Sequence, residues 1–131
     1  MKSEDQILLD AIAQTIFDKK GSNILALDLR SISTITDFVI IAEGNVDKHV
    51  IAIGSAIEQM LKARGIRPSH IEGMGLGDWV VLDYLTMMIH LFEPGLREMY
   101  RLEELWTKGE IVDLHIETDR YAIGLLRNDQ Q

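Results

Sequence analysis

A chain of 131 residues with 47% hydrophobic content is long enough to build one domain around its own core. It has no cysteine, which excludes a disulfide framework, a thiol nucleophile and a thiolate zinc site. Thirteen Lys and Arg against 21 Asp and Glu leave a net charge of -8, opposite in sign to the footprint of a nucleic-acid binder and suited to a basic protein partner.

The N-terminus, Met1-Lys2-Ser3-Glu4-Asp5, is charged and lacks the apolar segment of a signal peptide. No run of roughly 18 apolar residues follows, so neither a membrane span nor a membrane role is expected. A cytoplasmic protein is the expectation.

In chain order, residues 4–20 read as a helix. Ser3 and Gln6 have capping-box spacing, Ile7, Leu8, Ala11, Ile12 and Ile16 recur at helical period, and Gly21 is the expected stop. Residues 24–29 and 38–42 read as strands, the second apolar throughout, as in a strand covered on both faces. Asn45 is the expected cap of a second helix over 46–64, with Val50, Ile53, Ile57 and Leu61 as its stripe and Gly65 as its end.

Shorter strands are expected at 69–73, 79–84 and 86–92, with Tyr84 to Thr86 turning the last two into an antiparallel hairpin. Pro94-Gly95 breaks the pattern, and residues 96–106 read as one or two helical turns. Beyond Gly109, runs at 111–117 and 121–126 read as a second hairpin or an added edge. The expected fold is α/β (α+β). It is a mixed sheet of about five strands flanked by helices, in the order α-β-β-α-β-β-β-α, plus a C-terminal tail.

Candidates for chemistry are few. His90 and Glu93 have a spacing that suggests a metal pair, but residues three apart on a strand face opposite sides, so His90 reads as structural. Gly73-Met74-Gly75-Leu76-Gly77 is glycine-rich, yet a strand follows it where a phosphate-binding loop needs a helix. Asp78 and Asp83 are five apart, on opposite faces of a strand, which does not suit two carboxylates sharing a metal. Ser55 falls inside a helix with no evident base. No catalytic residue, cofactor or metal ligand is assigned.

Aromatic and acidic residues concentrate in two clusters. One is Asp78, Trp79, Asp83 and Tyr84; the other is Arg97, Glu98, Tyr100, Glu103, Glu104 and Trp106. Tryptophan, tyrosine and arginine dominate protein interfaces, although Trp79 reads equally well as core.

These clusters carry a resemblance. Asp28-Leu29-Arg30, Thr36-Asp37-Phe38-Val39-Ile40-Ile41, Gly44 and Glu72-Gly73 lead into Asp78-Trp79-Val80-Val81-Leu82-Asp83-Tyr84. His90-Leu91-Phe92 and the run from Arg97 to Trp106 follow. In this order and spacing the chain resembles the ribosomal silencing factor, or Iojap-like, family over residues 4 to about 107. It departs at Glu43, where the family usually has Ser or Thr, and at Asn45-Val46-Asp47.

The resemblance implies a domain over 1–107 with a fold likened to nucleotidyltransferases, and a C-terminal extension over 108–131. It implies binding to the large ribosomal subunit through the basic ribosomal protein L-fourteen. The bound protein would block joining of the small subunit and lower translation when nutrients are short. Related organellar proteins act in large-subunit assembly, and family members form homodimers. On this reading Asp78, Trp79, Asp83, Tyr84, Glu98, Tyr100 and Glu103 form the partner contact. The alternatives are a nucleotidyltransferase-like phosphoryl-transfer enzyme and a homodimeric assembly module without a ribosomal role.

Overall fold

The computed structural model describes residues 3–101, 104 and 107–118, with Tyr100 described in its backbone alone. The elements are α1 (Glu4–Asp18), β1 (Ser22–Asp28), β2 (Phe38–Glu43), α2 (Asp47–Ala63) and β3 (His70–Glu72). β4 (Trp79–Asp83), β5 (Met87–Phe92), α3 (Pro94–Tyr100) and β6 (Glu110–Ile111) complete the order. The strands form one six-stranded sheet in the order β3-β4-β5-β2-β1-β6. β2 and β5 run parallel, and the other neighbours are antiparallel.

Strand alternation divides the core in two. On one face, Leu9, Ile12 and Ile16 of α1 and Val50, Ile53, Ile57 and Leu61 of α2 close over Ala26, Phe38, Ile40, Val80, Leu82, Ile89 and Leu91. On the other, Leu27, Leu29, Val39, Ile41 and Phe92 form a second cluster, with Trp79, Met88 and Leu96 packed against it. β2 is buried at every position, as its unbroken apolar run predicts.

The element order follows the sequence reading, and the sixth strand comes from the tail. Glu110 and Ile111 add to the free edge of β1. The run 121–126 lies outside the described residues.

Three local details differ from expectation. Ser3 caps α1 by accepting the Gln6 N–H, but the Gln6 side chain turns to Asp10 and to the Asp113 carbonyl instead of closing the box. The left-handed residue that ends α1 is Lys20 (φ 66°), not Gly21. The Lys20 and Gly21 N–H groups donate to the Phe17 and Ile16 carbonyls in a Schellman arrangement. Gly21 is needed for space: a Cβ there would stand 2.4 Å from Ile16 Cγ2.

Asn45 does not cap α2, whose N-cap is Val46 without a side-chain bond. The Asn45 N–H donates to His49 Nδ1, and His49 Nε2–H donates to the Lys19 carbonyl, which joins the end of α1 to the start of α2. Pro94 starts α3 instead of only breaking a strand, because a proline at the first helical turn forfeits no hydrogen bond.

Candidate partner-binding face

The second face of the sheet carries the candidate residues, and the register sets them in rows. Trp79 lies opposite Phe92, and Phe92 opposite Glu43; one step along, Glu72, Val81, His90 and Ile41 form a parallel row. The Trp79 ring stacks on Phe92 with centroids 5.1 Å apart, and His90 stacks on Phe92 at 6.2 Å. Trp79 Nε1–H donates to His90 Nδ1 at 3.2 Å. Trp79 is half-buried, so it is at once the cover of Phe92 and a surface aromatic.

His90 is 6% exposed, and burial pushes its imidazole down to about 4. The ring is therefore neutral at ordinary pH, with Nδ1 engaged as acceptor and the proton on Nε2. Among the described residues no group of three His, Asp or Glu side chains is placed to hold a metal ion.

The start of β4 is tied to α3. Asp78 Oδ1 accepts the Trp79 N–H at 2.9 Å, and the Asp78 carbonyl accepts the N–H of Glu93, the N-cap residue of α3. α3 is held from above by Arg97, whose guanidinium donates to Glu43 Oε2 at 3.2 Å and to the Asn23 carbonyl. Both side chains of the ion pair are nearly buried, at 11% and 9% exposure. Asn23 sits in a left-handed conformation (φ 52°) where β1 slips one residue against β2, and this bulge presents its carbonyl to Arg97. Glu98 is exposed on the same helix and lines, with Arg97, Arg101 and Glu104, a polar cleft of about 540 Å³.

The seven sequence-predicted residues do not form one patch. Asp78 and Trp79 stand at the start of β4, to which α3, the helix carrying Glu98, is tied through Glu93. Asp83 shares the Trp79 face but stands at the far end, about 14 Å from Trp79 along an extended chain. There its Oδ1 accepts the Leu85 N–H at 2.8 Å and holds the β4–β5 turn.

Tyr84 belongs to the opposite, helix-covered side, packed on the larger core. Burial first and the Glu58 charge second raise its phenol to about 12, and its hydroxyl is shut away with no hydrogen-bond partner among the described residues. The Tyr100 side chain and Glu103 lie outside what is described.

Sequence reasoning missed the pairing of Glu43 with Arg97 and the role of His90 as acceptor for Trp79. The one available signal was a glutamate closing an otherwise apolar strand, since a charge in such a place needs a partner. The Asp28-Leu29-Arg30 motif is local structure: Arg30 binds Asp28 through both carboxylate oxygens, which holds that carboxyl below its ordinary range, and lies 5.1 Å over the Phe38 ring.

The Gly73–Gly77 segment is a tight connection, with the Gly77 N–H donating to the Gly73 carbonyl at 2.8 Å. Gly73 has φ +86°, and a Cβ on it would stand 1.9 Å from the Trp79 carbonyl oxygen. No helix among the described residues is long and apolar enough to cross a membrane.

The fold is a mixed six-stranded sheet with α1 and α2 on one face and the Trp79–His90–Phe92 cluster on the other. The family model described as "Ribosomal silencing factor during starvation" matches residues 2–127, and the chain belongs to that family. It is 36% identical over 107 residues to the ribosomal silencing factor RsfS of Bacillus subtilis, covering 82% of this chain and 91% of that one. A mouse protein named "Mitochondrial assembly of ribosomal large subunit protein 1" is 30% identical over 102 residues, spanning 76% of this chain and 45% of the mouse chain. A crystal structure from Bacillus halodurans superimposes with a TM-score of 0.74 at 33% identity, covering 83% of this chain and 99% of that one.

Proposed function

We propose that this protein acts in the cytoplasm as a ribosomal silencing factor. It docks on the large subunit through ribosomal protein L-fourteen and occupies the face that the small subunit must meet. The mechanism is steric, so it calls for no catalytic group or cofactor. Lower translation under nutrient limitation is the consequence, and the name of the mouse relative extends the same docking to large-subunit assembly.

The observation that carries this reading is Trp79, held by Phe92 and His90 on a sheet face, with Asp78 beside it and the exposed Glu98 on α3, the helix tied to the same end of β4. A rigid half-buried aromatic is a suitable interface anchor, because little entropy is lost on binding. The surrounding carboxylates suit lysines and arginines on a basic partner and speed encounter with it. Tyr100 and Glu103, close to Glu98 in the sequence, are included in the proposed contact, while Tyr84 packs against the larger core.

The test is co-sedimentation with separated ribosomal subunits on a sucrose gradient. Wild type is expected to travel with the large subunit alone and to reduce formation of joined ribosomes. Glu98→Lys, an exposed change, is expected to weaken that association and flatten its salt dependence. Wild type that stays at the top of the gradient at low and moderate salt removes the proposal.

A further inference from the structure

Gln6, Asp10 and Gln14 stand four apart on α1, one above another on a single side of the helix. Each grips the backbone of the tail at every second residue. Gln6 Nε2–H donates to the Asp113 carbonyl at 2.9 Å, and the His115 N–H donates to Asp10 Oδ1 at 2.9 Å. Gln14 donates to the Glu117 carbonyl at 3.2 Å and accepts the Glu117 N–H at 2.7 Å. Four helical residues rise about 6 Å, and two residues of extended chain advance about 6.6 Å. The two ladders therefore stay in step.

Upstream, β6 pairs with Leu27 and Asp28, and the Val112 N–H donates to the Ala26 carbonyl. Val112 and Leu114 turn in against the helix-side core, while residues 111, 113, 115 and 117 are exposed. The His115 imidazole also meets Asp10, at 3.1 Å. The bonds from Gln6, Asp10, Gln14 and Ala26 reach the backbone of this strap, as in peptide recognition by strand addition.

We propose that the trough between β1 and α1 is a binding site for an extended peptide, kept filled in cis by residues 110–118. Its ligand, when the strap releases, is the same segment of a second copy of this chain. The trough accepts apolar side chains at alternate positions and needs backbone N–H groups at 112, 115 and 117, and a second copy carries that pattern. Release of the strap would leave β1 as an open edge, which templates pairing with another strand. Exchange of an identical element is an established route to dimers. The trough lies at the β1 edge of the sheet, remote from β4, so this inference is independent of ribosome docking.

The test uses the intact chain with His115→Pro, which removes the N–H that Asp10 accepts at an exposed position outside the helices and strands. Hydrogen exchange at 113–117 is expected to accelerate. A labelled synthetic peptide of residues 109–118, followed by fluorescence anisotropy, is expected to bind this variant roughly tenfold or more tighter than wild type. Adding Gln6→Ala and Gln14→Ala, both favourable to helix, is expected to abolish that gain. Mixed with a Gln6→Ala/Gln14→Ala chain, whose strap is intact and whose own trough is weakened, the proline variant is expected to form a heterodimer detectable by light scattering. Unchanged exchange at 113–117, or a released strap without peptide binding, overturns the site. Peptide binding without association of the mixed chains overturns the second copy as its ligand.

Discussion

The indole N–H of Trp79 donates to Nδ1 of His90, side chain to side chain between β4 and β5. Protonating His90 would charge a ring that is shut away from water. This is why its pKa lies at about 4, below the ordinary 6.5. The unfolded chain therefore binds the proton more readily than the folded one. Stability from this residue is complete above pH 6.5 and is lost as pH falls towards 4, by up to about 3 kcal/mol. Urea unfolding at pH 7 and pH 4.5 checks this when wild type is compared with His90→Gln. The variant is expected to lose less stability between the two pH values. An equal loss in both would assign the effect to carboxylates elsewhere.

Arg97→Met is expected to destabilise the protein by roughly 3–5 kcal/mol, because it leaves the Glu43 carboxylate buried without its cation. Pairing it with Glu43→Leu is expected to restore most of that loss, since two apolar side chains of similar volume replace the pair. Denaturant midpoints of the two single variants and the double variant give the coupling. Additive effects would mean that the two side chains act separately.

What was legible in the sequence was whatever depends on neighbours. The Val50, Ile53, Ile57 and Leu61 stripe fixed α2, and Gly65, with φ +81°, ends it as read. The run from Phe38 marked a strand covered on both faces. Asn45 failed as a cap because a histidine four residues on, anchored to the end of α1, takes its N–H. The Glu43–Arg97 pair joins residues 54 apart, and the α1 grip on the tail spans more than 100. No local period encodes either. Trp79 could not be assigned to core or surface from pattern alone, and the register explains why: it covers Phe92 on one side and faces outward on the other.

Gly73→Ala is expected to cost at least as much as a buried cavity mutation, about 3 kcal/mol or more. The added methyl meets a backbone oxygen that is fixed by the start of β4, and the left-handed conformation compounds the clash. Thermal unfolding checks it. A shift of only a degree or two would mean that the loop moves aside.

Lys20→Gly is expected to stabilise by about 1 kcal/mol. Lys20 already occupies the left-handed C′ position of a Schellman end, where a Cβ is strained and glycine is not. The gain is reduced by the greater freedom of glycine in the unfolded chain. A fall in the denaturant midpoint would mean that this entropy, or packing of the lysine stem, outweighs the relief of strain.

Tyr84→Phe tests the packing assignment of a residue first read as part of the interface. Its hydroxyl is buried without a partner among the described residues, and burial has raised its pKa to about 12. Removing a hydroxyl that has lost its water and gained no hydrogen bond is expected to leave stability unchanged or raise it by about 1 kcal/mol. The ring remains against the core that α2 covers, so ribosome association is expected to be unaffected. Tyr84→Ala, by contrast, is expected to lose about 3 kcal/mol or more of stability through the cavity it opens. A Tyr84→Phe protein that folds normally but no longer travels with the large subunit would return this hydroxyl to the binding surface.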